Sequence, residues 1–241
     1  MAGKPAAPVI AFDLYGTLLS TQSIAARLAE LVGSQEKAAQ IATTWRKYQL
    51  EYSWRLTCMG HYDTFFNITR NSLVHALSEA HVDLREDVVN RLMGEYDHLS
   101  TFSDVEPALR NLSTRPDIKV VIFSNGTQEM VSNSVFRSKD LSPHATVFKD
   151  LITVDEIQKY KPAPEVYHHL SQKVGKNMED IWLISGNPFD IIGATKVGIK
   201  AAWLDRSNSG WEDCAVPTLR PRIIKNSLDD IIKFIIGEHT T

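Results

Sequence analysis

The chain has 241 residues, of which 43% are hydrophobic and 23% are charged, and its formal net charge is −3. This length and composition are typical of one large α/β domain, or of a core domain with a small insert, and they exclude a disordered chain. The weakly negative charge gives no indication of a nucleic acid or an anionic membrane as partner. No apolar run reaches the roughly 20 residues that a membrane helix requires.

The two cysteines, Cys58 and Cys214, lie far apart in the sequence and outside any metal-binding spacing. We expect both to be free, buried thiols. Residues 1–8 are rich in proline and alanine and predict a flexible lead-in without a secretory signal. Together these features favour a reducing, cytoplasmic location.

Short apolar runs that end in polar turns predict the strands of a parallel sheet. Residues 9–12 are continuously apolar and end at Asp13, and the pattern returns at residues 119–123, 181–184 and 201–204. Helical periodicity occupies residues 106–112, 128–136, 164–174, 189–197 and 227–236, with Ser227 as a candidate N-cap. This alternation predicts an α/β fold with a doubly wound, Rossmann-like parallel sheet.

Residues 21–100 interrupt the alternation, because they have a helical period and contain no convincing strand. We expect them to form a helical cap insert after the first strand, while residues 1–20 and 101–241 form the α/β core domain. In open parallel sheets the site lies beyond the carboxyl ends of the strands. The insert is therefore predicted to lie over Asp13, Ser124 and Ser185.

Polar clusters follow three of the predicted strands, and a parallel sheet would bring them to one edge. They are Asp13-Leu14-Tyr15-Gly16-Thr17, Ser124-Asn125-Gly126 and Ser185-Gly186-Asn187-Pro188-Phe189-Asp190, with Lys159-Tyr160-Lys161-Pro162 between the last two. Each cluster alone is weak evidence, because such residues are also common in turns and helix caps. The convergence of a carboxylate, a hydroxyl, an amide and a lysine predicts a catalytic site.

The order and spacing of these clusters resemble the motifs of the haloacid dehalogenase superfamily, and more narrowly those of the type II L-2-haloacid dehalogenases. The four motifs are matched by Phe12-Asp13-Leu14-Tyr15-Gly16-Thr17-Leu18, by Ser124-Asn125-Gly126, by Tyr160-Lys161-Pro162 with Tyr167, and by Ser185, Asn187 and Asp190. Trp45-Arg46 followed by Leu50-Glu51-Tyr52-Ser53-Trp54 resembles the lid segment that carries a substrate-side arginine. The resemblance spans residues 10 to about 206.

Two positions distinguish this pattern from that of the phosphatases in the same superfamily. The phosphatases carry a second aspartate as general acid two residues after the nucleophile, and Tyr15 occupies that position here. They also bind magnesium through acidic residues of the fourth motif, where Asn187 leaves Asp190 as the lone carboxylate. Because magnesium prefers several oxygen ligands, we expect a site that works without a metal or another cofactor.

The resemblance implies a catalytic set and a substrate-binding set. The catalytic set is Asp13, Thr17, Lys161, Tyr167, Ser185, Asn187 and Asp190, and the substrate-binding set is Leu14, Tyr15, Arg46, Ser124, Asn125 and Phe189. Asp13 would displace the halide and form an ester, with Lys161 as the counter-charge that keeps it ionised.

The substrate carboxylate would be held by Ser124, Thr17 and the backbone N–H groups after the first strand. The halide would meet Arg46, Asn125 and the positive edge of the Phe189 ring. Asp190, Asn187 and Ser185, ordered by Tyr167, would activate the water that cleaves the ester. A single inversion would convert an L-2-haloalkanoic acid into a D-2-hydroxy acid.

Gly186 and Pro188 depart from the family, which more often has Ser-Ser-Asn in this motif, and they remove a hydroxyl and an N–H donor. Three alternatives stay open: a phosphatase acting on a small phosphate ester, a non-catalytic small-acid-binding relative, and hydrolysis of another activated small acid by the same ester chemistry. The expected partners are the small 2-haloacid and the halide product. The resemblance also suggests a homodimer.

Overall fold

The computed structural model describes residues 8–240, so that residues 1–7 of the predicted lead-in and residue 241 lie outside the described residues. Within residues 8–240 the strands form one six-stranded parallel sheet in the order β3-β2-β1-β4-β5-β6. The strands are β1 Val9–Phe12, β2 Lys119–Ser124, β3 Phe148–Thr153, β4 Ile181–Ser185, β5 Lys200–Leu204 and β6 Ile223–Lys225. The predicted α/β fold with a parallel sheet is confirmed.

The helices α1–α5 precede β2, the helices α6, α7 and α8 each separate two of the strands β2 to β5, and α9 follows β6. They are α1 Ala25–Val32, α2 Gln35–Cys58, α3 Phe65–Glu79, α4 Glu86–Glu95, α5 Val105–Ser113, α6 Gln128–Phe136, α7 Pro164–Val174, α8 Pro188–Lys196 and α9 Leu228–Thr240. The backbone N–H of Asp230 donates to Ser227 Oγ over 3.3 Å, so Ser227 caps α9 as predicted.

The two edge strands, β3 and β6, were not predicted. Lys149 and Asp150 interrupt β3 and are exposed, and no residue of β6 is buried. An edge strand has a neighbour on one side, so it lacks the continuous apolar run that identifies a central strand.

The central strand β1 places Asp13 at the point where the strand order reverses. Phe12 is in register with Ile122 of β2 on one side and with Ile184 of β4 on the other. The N–H of Asp13 donates to Ile184 O over 3.1 Å, which holds the first residue beyond the strand against β4. This is the edge at which open α/β sheets bind their ligands.

Residues 21–100, called here the helical insert, contribute no strand to the described sheet. Its longest helix, α2, has 24 residues and begins after Ser34, whose hydroxyl accepts from the N–H of Lys37. The chain leaves and rejoins the sheet-containing part at neighbouring points. Ser20 N donates to Ser100 O over 2.8 Å, and Phe102 N donates to Leu18 O over 3.2 Å.

Both cysteines are free, as predicted, but both are exposed, so the prediction of buried thiols was wrong. Cys58 is the last residue of α2, and Cys214 lies in the irregular segment between β5 and β6. Neither position belongs to an apolar face that packs into the core. Among the described helices, none combines the length and the apolar character needed to cross a membrane.

Candidate active site

The carboxylate of Asp13 is buried, and neighbouring side chains hold one of its two oxygens tightly. Its Oδ2 accepts hydrogen bonds from Thr17 Oγ1 at 2.6 Å, Asn187 Nδ2 at 2.7 Å and Ser185 Oγ at 3.3 Å. Thr17 belongs to the turn after β1, Ser185 is the last residue of β4, and Asn187 follows β4. Two adjacent strand ends therefore fix the orientation of one carboxylate.

The ammonium group of Lys161 lies between two carboxylates. Its Nζ is 3.1 Å from Asp13 Oδ1 and 2.9 Å from Asp190 Oδ2, and it also donates to Phe123 O at 2.8 Å. The lysine side chain is 1% exposed. Because a buried charge is tolerated when it is paired and hydrogen-bonded, this arrangement stabilises both anions inside the protein.

Asp190 lies in the first turn of α8 and is fully buried. Its Oδ1 accepts from the Tyr167 hydroxyl at 2.9 Å, while Oδ2 accepts from Lys161. Burial raises the pKa of Asp190 above its ordinary value, although the neighbouring Lys161 opposes the rise. Burial also raises the pKa of Tyr167 well above its usual range, so its hydroxyl remains a donor.

Backbone and hydroxyl donors lie beside Asp13. The N–H groups of Leu14 and Tyr15 donate to no acceptor among residues 8–240. Ser124 Oγ accepts from Gly126 N at 3.1 Å, which leaves the proton of its hydroxyl available for another acceptor. Together these groups can receive an anionic substrate group at the sheet edge.

The Thr17 hydroxyl, unlike that of Ser124, has its proton already donated within the protein. It donates its proton to Asp13 Oδ2 and accepts from the N–H of Gly186 at 2.9 Å. A hydroxyl has one proton, so this geometry favours a role in orienting Asp13 over a role in binding the substrate carboxylate.

Arg46 extends from α2 of the helical insert to the loops that follow β1 and β4. Its Nη2 donates to Tyr15 O at 3.2 Å and to Asn187 Oδ1 at 3.3 Å, and its Nη1 donates to Gln49 Oε1 at 2.7 Å. The preceding residue, Trp45, is buried and donates from Nε1 to Thr69 O at 2.7 Å, which anchors α2 on α3.

Asn125 follows β2, and Phe189 lies in the first turn of α8. Asn125 Oδ1 accepts from the N–H of Lys161 at 3.0 Å, so its Nδ2 is the donor end of the amide. The Phe189 ring meets Trp54 edge-on, with centroids 5.3 Å apart. Both rings border an apolar cavity of about 570 Å³ that also touches Pro162, the residue after Lys161.

Sequence reasoning missed Gln49, Thr69, Tyr96 and the carbonyl group of Phe123. Gln49 could have been found, because it follows Arg46 by three residues on a predicted helix and so lies on the same face. Thr69 and Tyr96 join it through contacts between helices, for which the sequence carries no local signal.

The donor set does not resemble a metal centre. Among the described residues no group of three or more His, Cys, Asp or Glu side chains could hold an ion. Asp13 and Asp190 approach a common point, but the Lys161 ammonium lies there, and Asn187 offers Asp13 a hydrogen-bond donor in place of a further carboxylate. The lysine supplies the positive charge.

Comparisons with known proteins agree with this geometry. The model of the haloacid dehalogenase-like hydrolases matches residues 7–198. The chain is 34% identical over 198 residues to (S)-2-haloacid dehalogenase 4A of Burkholderia cepacia, covering 82% of this chain and 83% of that protein. It is 33% identical over 204 residues to a haloacetate dehalogenase of Moraxella sp. (strain B), covering 85% and 88%. The crystal structure of an L-2-haloacid dehalogenase superposes with a TM-score of 0.86 at 28% identity, covering 96% and 99%.

Proposed function

Because the chain belongs to the haloacid dehalogenase-like hydrolases, we propose that it hydrolyses the carbon–halogen bond of small L-2-haloalkanoic acids and yields D-2-hydroxy acids. The observation that carries the proposal is the unequal surroundings of the two Asp13 oxygens. Oδ2 accepts from Thr17, Ser185 and Asn187, whereas Lys161 is the one described side chain that donates to Oδ1. Oδ1 therefore has lone-pair density available for attack on carbon.

In the first step Oδ1 forms a bond to the 2-carbon while the carbon–halogen bond breaks and the halide leaves with the electron pair. The substrate carboxylate is held by the N–H groups of Leu14 and Tyr15 and by the Ser124 hydroxyl. Holding both reactants in line can lower the barrier by roughly 7–11 kcal/mol at most. The halide departs towards Arg46, Asn125 Nδ2 and the edge of Phe189.

In the second step water attacks the carbonyl carbon of the Asp13 ester and gives a proton to Asp190. The former Oδ2 becomes the oxyanion, and its donors Thr17, Ser185 and Asn187 are already in place to stabilise it. The bond between the carbonyl carbon and Oδ1 then breaks, and Oδ1 takes back the proton held by Asp190 and leaves as the product hydroxyl. The regenerated Asp13 carboxyl group releases the second proton of the water to solvent and becomes a carboxylate again. The 2-carbon is inverted once, which converts an L-halide into a D-alcohol.

The two main alternatives are less well supported. A phosphatase needs a general acid where Tyr15 stands, and burial raises the pKa of that phenol far above its usual range, which makes it a poor acid. Asn187 donates to Asp13 Oδ2 where magnesium would need a further carboxylate ligand, which also disfavours magnesium-assisted phosphoryl transfer. A non-catalytic relative would have no need for the paired Asp13, Lys161 and Asp190.

We also propose that the helical insert is a cap over the site, with boundaries near residues 20 and 100. The paired backbone bonds of Ser20 with Ser100 and of Phe102 with Leu18 support these boundaries. The reach of Arg46 from α2 to Tyr15 and Asn187 supports the position of the cap.

A homodimer and a cytoplasmic location are further proposals. The exposed apolar side chains of Phe66 and Val74 on α3 are compatible with a protein interface. The free thiols of Cys58 and Cys214 suit a reducing compartment. Light scattering on the purified protein tests the first proposal, and fractionation of cells that express it tests the second.

The test of the proposed function is chloride release from racemic 2-chloropropionate in the presence of EDTA. We expect release that requires Asp13, is unaffected by EDTA and stops at half conversion, whereas Asp13→Asn releases none. A single turnover in heavy-oxygen water should place the label in Asp13 and leave the product unlabelled. Phosphate release from a generic phosphate ester on adding magnesium, with no chloride release, would instead identify a phosphatase.

A further inference from the structure

Gln49 is a buried amide in α2, one helical turn beyond Arg46. Its Nε2 donates to Thr69 Oγ1 at 2.7 Å, and its Oε1 accepts from Arg46 Nη1 at 2.7 Å. The Tyr96 hydroxyl lies 3.2 Å from Oε1 and 3.0 Å from Nε2. Three separate parts of the helical insert thus meet at this one side chain.

The orientation of the Gln49 amide is determined by Thr69. The Thr69 hydroxyl donates its single proton to Phe65 O at 2.6 Å, so towards Gln49 it can only accept. Nε2 must therefore point at Thr69, and Oε1 must point at Arg46. A flipped amide would place two donors against each other at the arginine.

The partners of Arg46 share one property, which is that they are all neutral oxygens. They are Tyr15 O, Gln49 Oε1 and Asn187 Oδ1, together with the nearby Tyr96 hydroxyl, and no carboxylate of the described residues forms an ion pair with Arg46. The guanidinium group is thus held in place without being neutralised, so its positive charge remains available to a departing anion.

We propose that Gln49 is a positioning residue, which fixes the guanidinium of Arg46 through a neutral acceptor so that its charge stabilises the leaving halide. This inference rests on the proposed dehalogenase function. Gln49 touches neither the substrate nor Asp13, and it acts through Arg46 alone. Thr69 and Tyr96 fix Gln49 in turn.

Three substitutions separate geometry from charge. Gln49→Glu keeps the shape and the acceptor but pairs a carboxylate with Arg46. Gln49→Met keeps the volume but removes the acceptor, and Thr69→Val removes the group that orients the amide. Ser72→Ala is the matched control, because Ser72 is buried in the same region and its hydroxyl donates to Thr69 O, outside the contacts that reach Arg46.

The readout is the ratio of kcat/KM for 2-bromopropionate to that for 2-chloropropionate. Chloride is the poorer leaving group and depends more on stabilisation by Arg46, whereas a general loss of structure would slow both substrates alike. We expect Gln49→Glu and Gln49→Met to raise the ratio by about tenfold, mainly through kcat, and Thr69→Val to raise it less. Ser72→Ala should leave the ratio unchanged.

The outcomes distinguish this inference from the function on which it rests. If the native protein releases neither halide, the proposed function has failed. If the native protein releases both halides and the ratio is the same in the Gln49 variants, the positioning role is overturned while the dehalogenase stands. If Gln49→Glu does not fold, Gln49→Met and Thr69→Val decide the question by the same ratio.

Discussion

Gly193 lacks a side chain at the point where the phenol group of Tyr167 lies. A Cβ added at Gly193 would be 2.3 Å from the Tyr167 hydroxyl oxygen, well inside any permitted contact. Tyr167 in turn donates to Asp190 Oδ1. The glycine in α8 is therefore the reason that the tyrosine of α7 can reach the buried carboxylate.

Gly193→Ala is expected to displace Tyr167 from Asp190 and to lower the free energy of unfolding by about 1–3 kcal/mol through overpacking. Urea denaturation measures the stability, and the rate of ester hydrolysis in single turnover measures the displacement. Gly94→Ala in α4 is the matched control, since a Cβ there meets nothing within 4 Å. That change should raise stability by up to about 1 kcal/mol. Equal free energies of unfolding and equal rates of ester hydrolysis in the two variants would contradict the prediction.

Tyr167→Phe should move the acid limb of the ester-hydrolysis rate to higher pH. Burial raises the pKa of Asp190, and the hydrogen bond from Tyr167 partly opposes that rise by stabilising the anion. Without the bond the pKa rises further, so Asp190 is protonated, and inactive as a base, at a higher pH than in the native protein. The pH profile of single-turnover ester hydrolysis measures the shift. If the acid limb of the variant stays at the same pH or moves to a lower pH, Asp190 is not the base.

Gly186→Ser tests why the fourth motif has a glycine. A Cβ at Gly186 would be 2.5 Å from the carbonyl oxygen of Gly16, so a side chain there forces the turns after β1 and β4 apart. The N–H of Gly186 would then lose Thr17, which orients Asp13. We expect lower stability, by about 1–3 kcal/mol, and slower halide release. Faster release than in the native protein would show that the backbone adjusts without cost.

Asn187→Asp should reduce halide release about a hundredfold or more, in line with the loss of one oxyanion donor. The change replaces a donor that lies 2.7 Å from Asp13 Oδ2 with a like charge. It also places a carboxylate close to Arg46 Nη2. Steady-state chloride release measures the effect, and circular dichroism confirms that the variant folds. Near-native activity would mean that Asn187 does not donate to Asp13 during the reaction.

The central strands could be predicted from sequence because they are buried on both faces. Residues 9–12, 119–123 and 181–184 each match a strand of the structure to within one residue, whereas the polar edge strand β3 gave no signal. The meeting of the polar clusters at Asp13 and Ser185 could be predicted because each cluster lies at the end of a predicted parallel strand. Lys161 lies in a loop, so its pairing with Asp13 could be assigned to that one lysine only with the help of the resemblance.

Contacts between side chains that are far apart in the sequence could not be predicted. The contact of Gln49 with Thr69 and Tyr96 depends on how three parts of the helical insert pack, and helical periodicity does not encode that packing. Gly186 was interpreted as the loss of a hydroxyl. The structure adds that the carbonyl of Gly16 fills the space that a side chain would need.

The paired crossings at Leu18–Phe102 and Ser20–Ser100 have a consequence for how such a protein diversifies. Since the two junctions adjoin, we expect that residues 21–100 could be exchanged for another segment whose own ends meet. Asp13, Lys161 and Asp190 would all keep their scaffold during such an exchange. Such an exchange would replace Arg46, the proposed cation for the leaving halide, and would therefore change which leaving groups and substrates are accepted.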